Sequence, residues 1–128
     1  MGAAEFPYIQ HPDAFFLERI HRFYVFVAEI NGEFAGFVDI EPFPSEDEYT
    51  ALLAGIAVRR EFRGKGIGSD LMRFALRFAK AVGFRRIIIF SKKDNIPANK
   101  LYERFGFRVE KEHRGILKWV RRLDAEAF

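Results

Sequence analysis

The order of apolar and polar positions predicts two strands joined by a tight turn early in the chain. Residues 24–30 and 34–40 are rich in β-branched and aromatic side chains, which is typical of strands. Asn31 and Gly32 lie between the two stretches, and this pair suits the positive φ angles of a two-residue hairpin turn. The pattern therefore predicts an antiparallel hairpin.

A third apolar stretch covers residues 49–58 and follows an acidic connector at residues 46–48. Pro42 and Pro44 precede the connector, and proline ends the pairing of a strand because it lacks a backbone N–H. Gly55 lies inside the third stretch and indicates a β-bulge there. We therefore expect a third strand that is distorted near Gly55.

Helical spacing appears next and predicts an amphipathic helix that begins near Ser69 and ends at Gly83. The apolar stripe of this helix consists of Leu71, Ala75, Phe78 and Val82, widened by Met72 and Ala79. The run from Ile87 to Phe90 is apolar without interruption. Such a run is typical of a strand that is buried on both faces and parallel to a neighbour. The pattern predicts a β-α-β unit.

A second helix is predicted from Pro97, which suits a first helical turn, to Gly106. Its apolar positions are Ala98, Leu101, Tyr102 and Phe105. Residues 107–111 and 116–123 then read as two closing strands that pair through a turn at residues 114–115.

The whole order predicts an α/β fold of the mixed α+β type, with a mixed central sheet and helices packed on it. The N-terminal strands are antiparallel, and the β-α-β unit follows them. Asp13 is the expected N-cap of a short helix ahead of the first strand. We expect one domain over residues 1–128, with an N-terminal helical segment at residues 1–23 and a core at residues 24–128.

Composition narrows the function classes. The chain of 128 residues is long enough for one core, and the lack of cysteine excludes disulfides, thiolate metal sites and cysteine nucleophiles. His11, His21 and His113 show no metal-ligand spacing, so we expect no metal. No apolar run approaches the roughly 18 residues of a membrane span, and no signal peptide is recognisable. We therefore expect a cytoplasmic protein without a membrane partner.

The clearest candidate for a binding site is a glycine-rich loop between the third strand and the first long helix. It reads Arg63-Gly64-Lys65-Gly66-Ile67-Gly68. Backbone N–H groups at a helix N-terminus bind anions, and glycines allow phosphate oxygens to approach closely. Arg59 and Arg60 add positive charge beside the loop. The sequence therefore predicts a diphosphate site, although the glycines could also serve a turn alone and the arginines a solvated face.

Two better-known phosphate loops do not match. A Walker A loop requires Gly-Lys-Ser/Thr after four spacers, and the dinucleotide fingerprint requires a third glycine where Ser69 stands.

Residues Ile56-Ala57-Val58 followed by the glycine loop resemble the Arg/Gln-x-x-Gly-x-Gly/Ala pyrophosphate motif of the GNAT superfamily of acetyl-CoA-dependent N-acetyltransferases. A second set of positions is similar to the family's Asn-x-x-Ala, Leu-Tyr and Gly-Phe spacing. These positions are Asn95-Ile96-Pro97-Ala98, Leu101-Tyr102 and Gly106-Phe107. The resemblance covers the chain from about residue 24 to the C-terminus.

The resemblance implies acetyl-CoA as cosubstrate and an amine, on a small molecule or a protein, as acceptor. It implies that the backbone of Ile56, Ala57 and Val58 pairs with the pantetheine arm. It further implies that Asn95 contacts the cofactor and that Tyr102 stands near the thioester sulfur. A phenol with a pKa of about 10 can protonate a thiolate whose conjugate acid has a pKa near 8.5, so Tyr102 is a candidate general acid. Tyr102 could instead be a core residue of its helix.

A general base is harder to assign. In the similar ribosomal-protein alanine N-acetyltransferases a glutamate lies five positions before the motif asparagine, and Phe90 stands there in this chain. The other candidates are carboxylates near the second strand, and the acidic connector could equally be a solvated loop. These candidates are Asp39, Glu41, Glu46, Asp47 and Glu48.

Three functions remain in competition. The first is a catalytic N-acetyltransferase, and the second is a non-catalytic acyl-CoA binding module. The third, nucleic-acid binding, is disfavoured because the net charge is +3 and no strand interleaves aromatic and basic residues. Family members usually carry a strand and two helices before the hairpin, so a partner subunit, such as a second copy in a homodimer, could complete the acceptor pocket.

Overall fold

The computed structural model describes residues 24–124, so the helix expected around Asp13 lies outside the described residues. The strands are β1 (Tyr24–Ile30), β2 (Glu33–Pro42), β3 (Thr50–Val58), β4 (Arg86–Lys92), β5 (Arg108–His113) and β6 (Ile116–Arg122). The helices are α1 (Ile67–Ala81) and α2 (Ile96–Arg104). The strands form one six-stranded sheet in the order β1-β2-β3-β4-β6-β5. Neither helix is long and apolar enough to cross a membrane.

The two predicted hairpins are confirmed. β1 pairs antiparallel with β2, and Asn31 and Gly32 between them have φ angles of 52° and 82°. β5 pairs antiparallel with β6, and Arg114 and Gly115 have φ angles of 51° and 81°. Positive φ at both turn residues matches the right-handed twist of the flanking strands.

The hydrophobic core lies between one face of the sheet and the two helices. Leu71, Met72 and Ala75 of α1 are buried in the same cluster as Val38 of β2 and Ile89 of β4. The predicted amphipathic stripe of α1 is thus confirmed except at Val82. On the side of α2, the core includes Tyr102, Phe107 and Trp119.

Three local predictions need correction. α1 begins at Ile67 rather than near Ser69, because the left-handed conformation of Gly66, with φ of 83°, turns the chain directly into the helix. Val82 lies just beyond the helix and is exposed. β4 is not buried along its whole apolar run, since Phe90 is 46% exposed. Phe90 alternates with Ile89, so its side chain lies on the face opposite the helical layer.

The sheet separates in its middle. β3 and β4 are parallel, as predicted, but they pair only from Thr50 opposite Arg86 to Leu52 opposite Ile88. The β2–β3 register shifts close to Gly55, which confirms the predicted bulge. Beyond Leu52, β3 keeps its pairing with β2 while its other edge leaves β4. The gap between β3 and β4 positions the candidate site.

Candidate functional site

A cavity of about 360 Å³ lies along the open edge of β3, between the glycine loop and α2. Its lining residues are Ile56, Ala57, Val58, Phe62, Arg63, Gly64, Gly66, Ile67, Gly68, Pro97, Ala98, Leu101 and Tyr102. The cavity therefore joins the C-terminal part of β3, the start of α1 and one face of α2. An elongated ligand could contact all three elements at once.

The N-terminus of α1 forms one end of this cavity. The first intrahelical hydrogen bond runs from the N–H of Asp70 to the carbonyl of Gly66, at 3.0 Å. Gly66 is the N-cap residue and supplies no side-chain cap. The N–H groups of the first turn are therefore left for a ligand, and the helix dipole adds roughly half a unit of positive charge. This geometry suits a phosphate group.

The basic residues near the loop are not equivalent. Arg63 lines the cavity and donates through Nε to the carbonyl of Val58 at 2.9 Å, which ties the loop to the end of β3. Arg59 forms an ion pair with Glu61 and a 3.0 Å hydrogen bond with the carbonyl of Phe34. The sequence predicted that Arg59 adds positive charge beside the loop, but the guanidinium group of Arg59 is instead engaged by these two partners.

The backbone of β3 offers hydrogen-bonding groups along the cavity. Ile56, Ala57 and Val58 pair with β2 through one edge, whereas the ladder with β4 has already ended at Leu52. The second edge of this segment therefore presents backbone groups without a strand partner. An extended chain that carries amides can pair with such an edge in the manner of an added strand.

Tyr102 of α2 lines the cavity as well. Its side chain is 6% exposed, and its ring packs edge-on against Trp119 at 5.9 Å and tilted against Phe107 at 6.1 Å between centroids. Within residues 24–124 no group forms a hydrogen bond with its hydroxyl. Burial raises the pKa of Tyr102 above its ordinary value, because a phenolate would be poorly solvated there. The phenol is therefore protonated at neutral pH.

A series of side-chain hydrogen bonds holds α2 against the end of β4. Trp119 donates through Nε1 to Ser91 Oγ at 2.9 Å, and Ser91 donates to Asn99 Oδ1 at 2.6 Å. Asn99 in turn donates through Nδ2 to the carbonyls of Lys92 and Lys93, at 3.2 and 3.1 Å. These bonds set the position of α2, and hence of the Tyr102 ring on its next turn.

The structure brings together nine of the eleven residues that the sequence assigned to the site. Lys65 and Asn95 do not line the cavity. The Nζ of Lys65 lies 5.7 Å from the centroid of the Phe62 ring, and Asn95 is the N-cap of α2 without a side-chain capping bond. Their assignment to the cofactor stays a prediction.

Four lining residues were not assigned to the site from the sequence: Phe62, Pro97, Ala98 and Leu101. Pro97, Ala98 and Leu101 belong to the second motif that resembles the family's pattern, and that motif was the available signal for them. Phe62 ends a short 3-10 helix at Arg60–Phe62 that no periodicity indicated.

The acidic connector is engaged in structural contacts. Glu46 accepts from Lys118, and this hydrogen bond is the main cause that lowers the pKa of Glu46. Asp47 accepts from the Thr50 hydroxyl at 2.9 Å and from the Tyr49 N–H at 2.7 Å, and these bonds lower the pKa of Asp47. A lowered pKa makes a carboxylate a weaker proton acceptor, which argues against both residues as the general base.

Comparison with known proteins gives matches both in sequence and in fold. A family model described as the acetyltransferase (GNAT) family matches residues 3–107. An uncharacterised N-acetyltransferase of Methanocaldococcus jannaschii is 35% identical over 101 residues, which is 77% of this chain and 45% of that protein. The chain thus spans less than half the length of this relative.

Two solved structures share the fold. An N-acetyltransferase from Staphylococcus aureus superposes with a TM-score of 0.76 at 29% identity, covering 87% of this chain and 74% of that one. The PaiA N-acetyltransferase of Thermoplasma acidophilum, in complex with coenzyme A, gives a TM-score of 0.77 at 18% identity over 86% and 70% of the two chains. With a family model that matches most of its length, the chain belongs to the acetyltransferase (GNAT) family.

Proposed function

We propose that this protein transfers the acetyl group of acetyl-CoA to a primary amine by direct attack on the thioester. One observation carries the proposal: a helix N-terminus suited to an anion and the phenol of Tyr102 line the same cavity. The proposal also draws on the family and on the M. jannaschii relative, which is named an N-acetyltransferase. Residues 24–128 would form the cofactor-binding core of a single domain over residues 1–128.

Each part of the cosubstrate matches a part of the cavity. The pyrophosphate suits the N–H groups of residues 66–69, and the amides of the pantetheine arm suit the open edge of Ile56–Val58. The thioester then reaches the wall formed by Tyr102. In this arrangement we expect Lys65 and Asn95 to contact the bound cofactor from the rim.

The proposed transfer requires one proton donor, for the thiolate that leaves the acetyl group. A neutral amine nitrogen attacks the acetyl carbonyl carbon, the C–S bond breaks, and the thiolate takes a proton from the Tyr102 hydroxyl. The attacking nitrogen becomes positively charged as the C–N bond forms and loses one proton, to the phenolate directly or through water, which leaves a neutral amide and restores the Tyr102 phenol. General-acid assistance of this kind typically contributes about 10²-fold to 10⁴-fold in rate.

The decisive experiment measures the release of free CoA thiol from acetyl-CoA across a panel of primary amines, with mass spectrometry of the acetylated product. We expect turnover with at least one amine class and cofactor binding by calorimetry. Binding of acetyl-CoA without acetylated product from any amine would instead identify a non-catalytic acyl-CoA binding module. Failure to bind acetyl-CoA would contradict both functions.

A further inference from the structure

A second cavity, of about 540 Å³, lies in a groove between α1 and α2, on the same side of the sheet as the first. Its lining residues are Arg73, Leu76, Arg77, Arg104, Phe105, Gly106 and Arg121. Four of these seven residues are arginines, and within residues 24–124 no carboxylate lines the groove. We call it the arginine groove.

An aromatic ring organises two of the four guanidinium groups. The Cζ atoms of Arg73 and Arg104 lie 5.6 and 5.8 Å from the centroid of the Phe105 ring, within the range of a cation–π contact. Arg73 also pairs with the exposed carboxylate of Asp70 at 2.9 Å. The groove thus presents several positive charges in a defined arrangement.

The floor of the groove contains a buried guanidinium. Arg121 is 8% exposed and donates through Nε to the carbonyl of Phe105 at 3.0 Å. Gly106, with φ of 88°, allows this approach, because a Cβ atom there would lie 2.9 Å from Arg121 Nε. The backbone turn after α2 is therefore shaped around a cation that water reaches poorly.

Like charges held together raise the free energy of the empty protein, and an anion between them would offset this cost. Phosphate monoesters match the groove well, because they carry between one and two negative charges near neutral pH and accept the paired N–H donors of arginine. We propose that the arginine groove is a binding site for a phosphate monoester.

The position of the groove favours one source for that phosphate. Arg104 donates to Ser69 Oγ at 2.7 Å, and Ser69 directly follows Gly68, which lines the cofactor cavity. The two cavities therefore meet across the first turn of α1. In CoA a single ribose separates the 3′-phosphate from the pyrophosphate, so a CoA bound at the glycine loop would bring its 3′-phosphate within reach of the groove; this source rests on the proposed function. A separate phosphorylated ligand is the other source.

The test compares calorimetric dissociation constants of CoA and 3′-dephospho-CoA for the parent protein and for the Arg77→Gln and Arg104→Gln variants. We expect the parent to bind CoA about tenfold more tightly than 3′-dephospho-CoA, which corresponds to about 1.4 kcal/mol. The two variants should lose most of this preference. Ser69→Ala removes the hydrogen bond with Arg104 but keeps the charge of Arg104. The preference of this variant for CoA shows whether Arg104 acts through its charge or only through that hydrogen bond. Arg108→Gln, on the exposed strand β5 outside the groove, removes the same charge and should retain the preference.

A second arm tests the separate source. Inorganic phosphate is added at constant ionic strength, and thermal stability is measured for the same variants. Phosphate stabilisation that disappears in Arg77→Gln and Arg104→Gln, in a parent that binds CoA and dephospho-CoA equally, would assign the groove to a separate phosphorylated ligand. The proposal is overturned if neither the 3′-phosphate preference nor the phosphate effect depends on these arginines. A parent that binds no CoA contradicts the proposed function, while the phosphate arm still decides the groove.

Discussion

At the scale of single residues, burial gives the Tyr102 phenol the protonation state that the proposed reaction needs. Burial against Trp119 and Phe107 raises the pKa of Tyr102, so the group keeps its proton through neutral and mildly alkaline pH. A general acid that holds its proton in this way remains active over the range in which more of the amine becomes neutral. The reaction should therefore accelerate with pH until the amine is fully deprotonated.

Substitution of Tyr102 by phenylalanine should lower kcat by about 10²-fold to 10⁴-fold with little change in the KM for acetyl-CoA. The ring packing survives and only the proton donor is lost. In the parent we expect no alkaline loss of kcat below about pH 10, measured by thiol release. Tyr49→Phe is the matched control, because Tyr49 is exposed and packs on Arg85 away from the cavity. Unchanged kcat in Tyr102→Phe would refute the acid role.

At the scale of secondary structure, helix α2 depends on a side chain that its periodicity does not reveal. The apolar stripe and Pro97 were sufficient to predict the helix. They did not indicate that Asn99 joins it to Ser91, Lys92 and Lys93, because those partners come from β4 and from the residue after it. The stripe predicts that a helix forms, whereas these bonds decide where it lies.

Replacement of Asn99 by alanine should destabilise the protein by about 2 kcal/mol, since it removes three hydrogen bonds that are each worth about 0.5 to 1.5 kcal/mol net. The shift of α2 should also lower kcat more than it raises KM, because Tyr102 lies on the following turn. Urea unfolding and thiol-release kinetics measure the two effects. Lys100→Ala, at an exposed neighbouring position, should change neither. Equal behaviour of the two variants would show that Asn99 does not hold the helix.

At the scale of the whole molecule, the sheet consists of two halves that share three residue pairs between β3 and β4. Lys118 of β6 bridges these halves. It donates to Glu46 of the β2–β3 connector and pairs with Glu110 of β5 at 2.9 Å. Glu46 also lies 3.5 Å from Arg86 of β4. An ion-pair network therefore supports the molecule where its backbone ladder is shortest.

The lowered pKa of Glu46 links this network to pH. A carboxyl group with a lower pKa in the folded protein stabilises the fold above its unfolded pKa of about 4.3, and that contribution is lost as pH falls through the folded pKa. Glu46→Gln should therefore be less stable than the parent by about 1 kcal/mol at neutral pH, and this difference should shrink as pH falls below about 4.3. Urea unfolding across this range checks the prediction.

Glu48→Gln serves as the control for this pH series, since Glu48 is an exposed neighbour in the same connector. Its stability should follow that of the parent at every pH. A stability difference for Glu46→Gln that does not depend on pH would show that the loss comes from packing and not from the ionised carboxylate.

Local sequence patterns were sufficient to predict the features that depend on neighbours along the chain. The order of strands and helices follows from periodicity, and the turns at Asn31-Gly32 and Arg114-Gly115 follow from the φ angles that these residues tolerate. The glycine loop before α1 follows from the same local rules. These signals are local because each depends on bonds and contacts within a few residues.

The features that join distant parts of the chain arise from the packing of its strands and helices. The gap between β3 and β4, the exposure of Phe90 and the tether of Asn99 depend on how elements pack, which no local pattern encodes. The arginine groove combines residues from α1, from the end of α2 and from β6. Charges so far apart in sequence become one binding surface only when the burial of apolar faces brings their elements together.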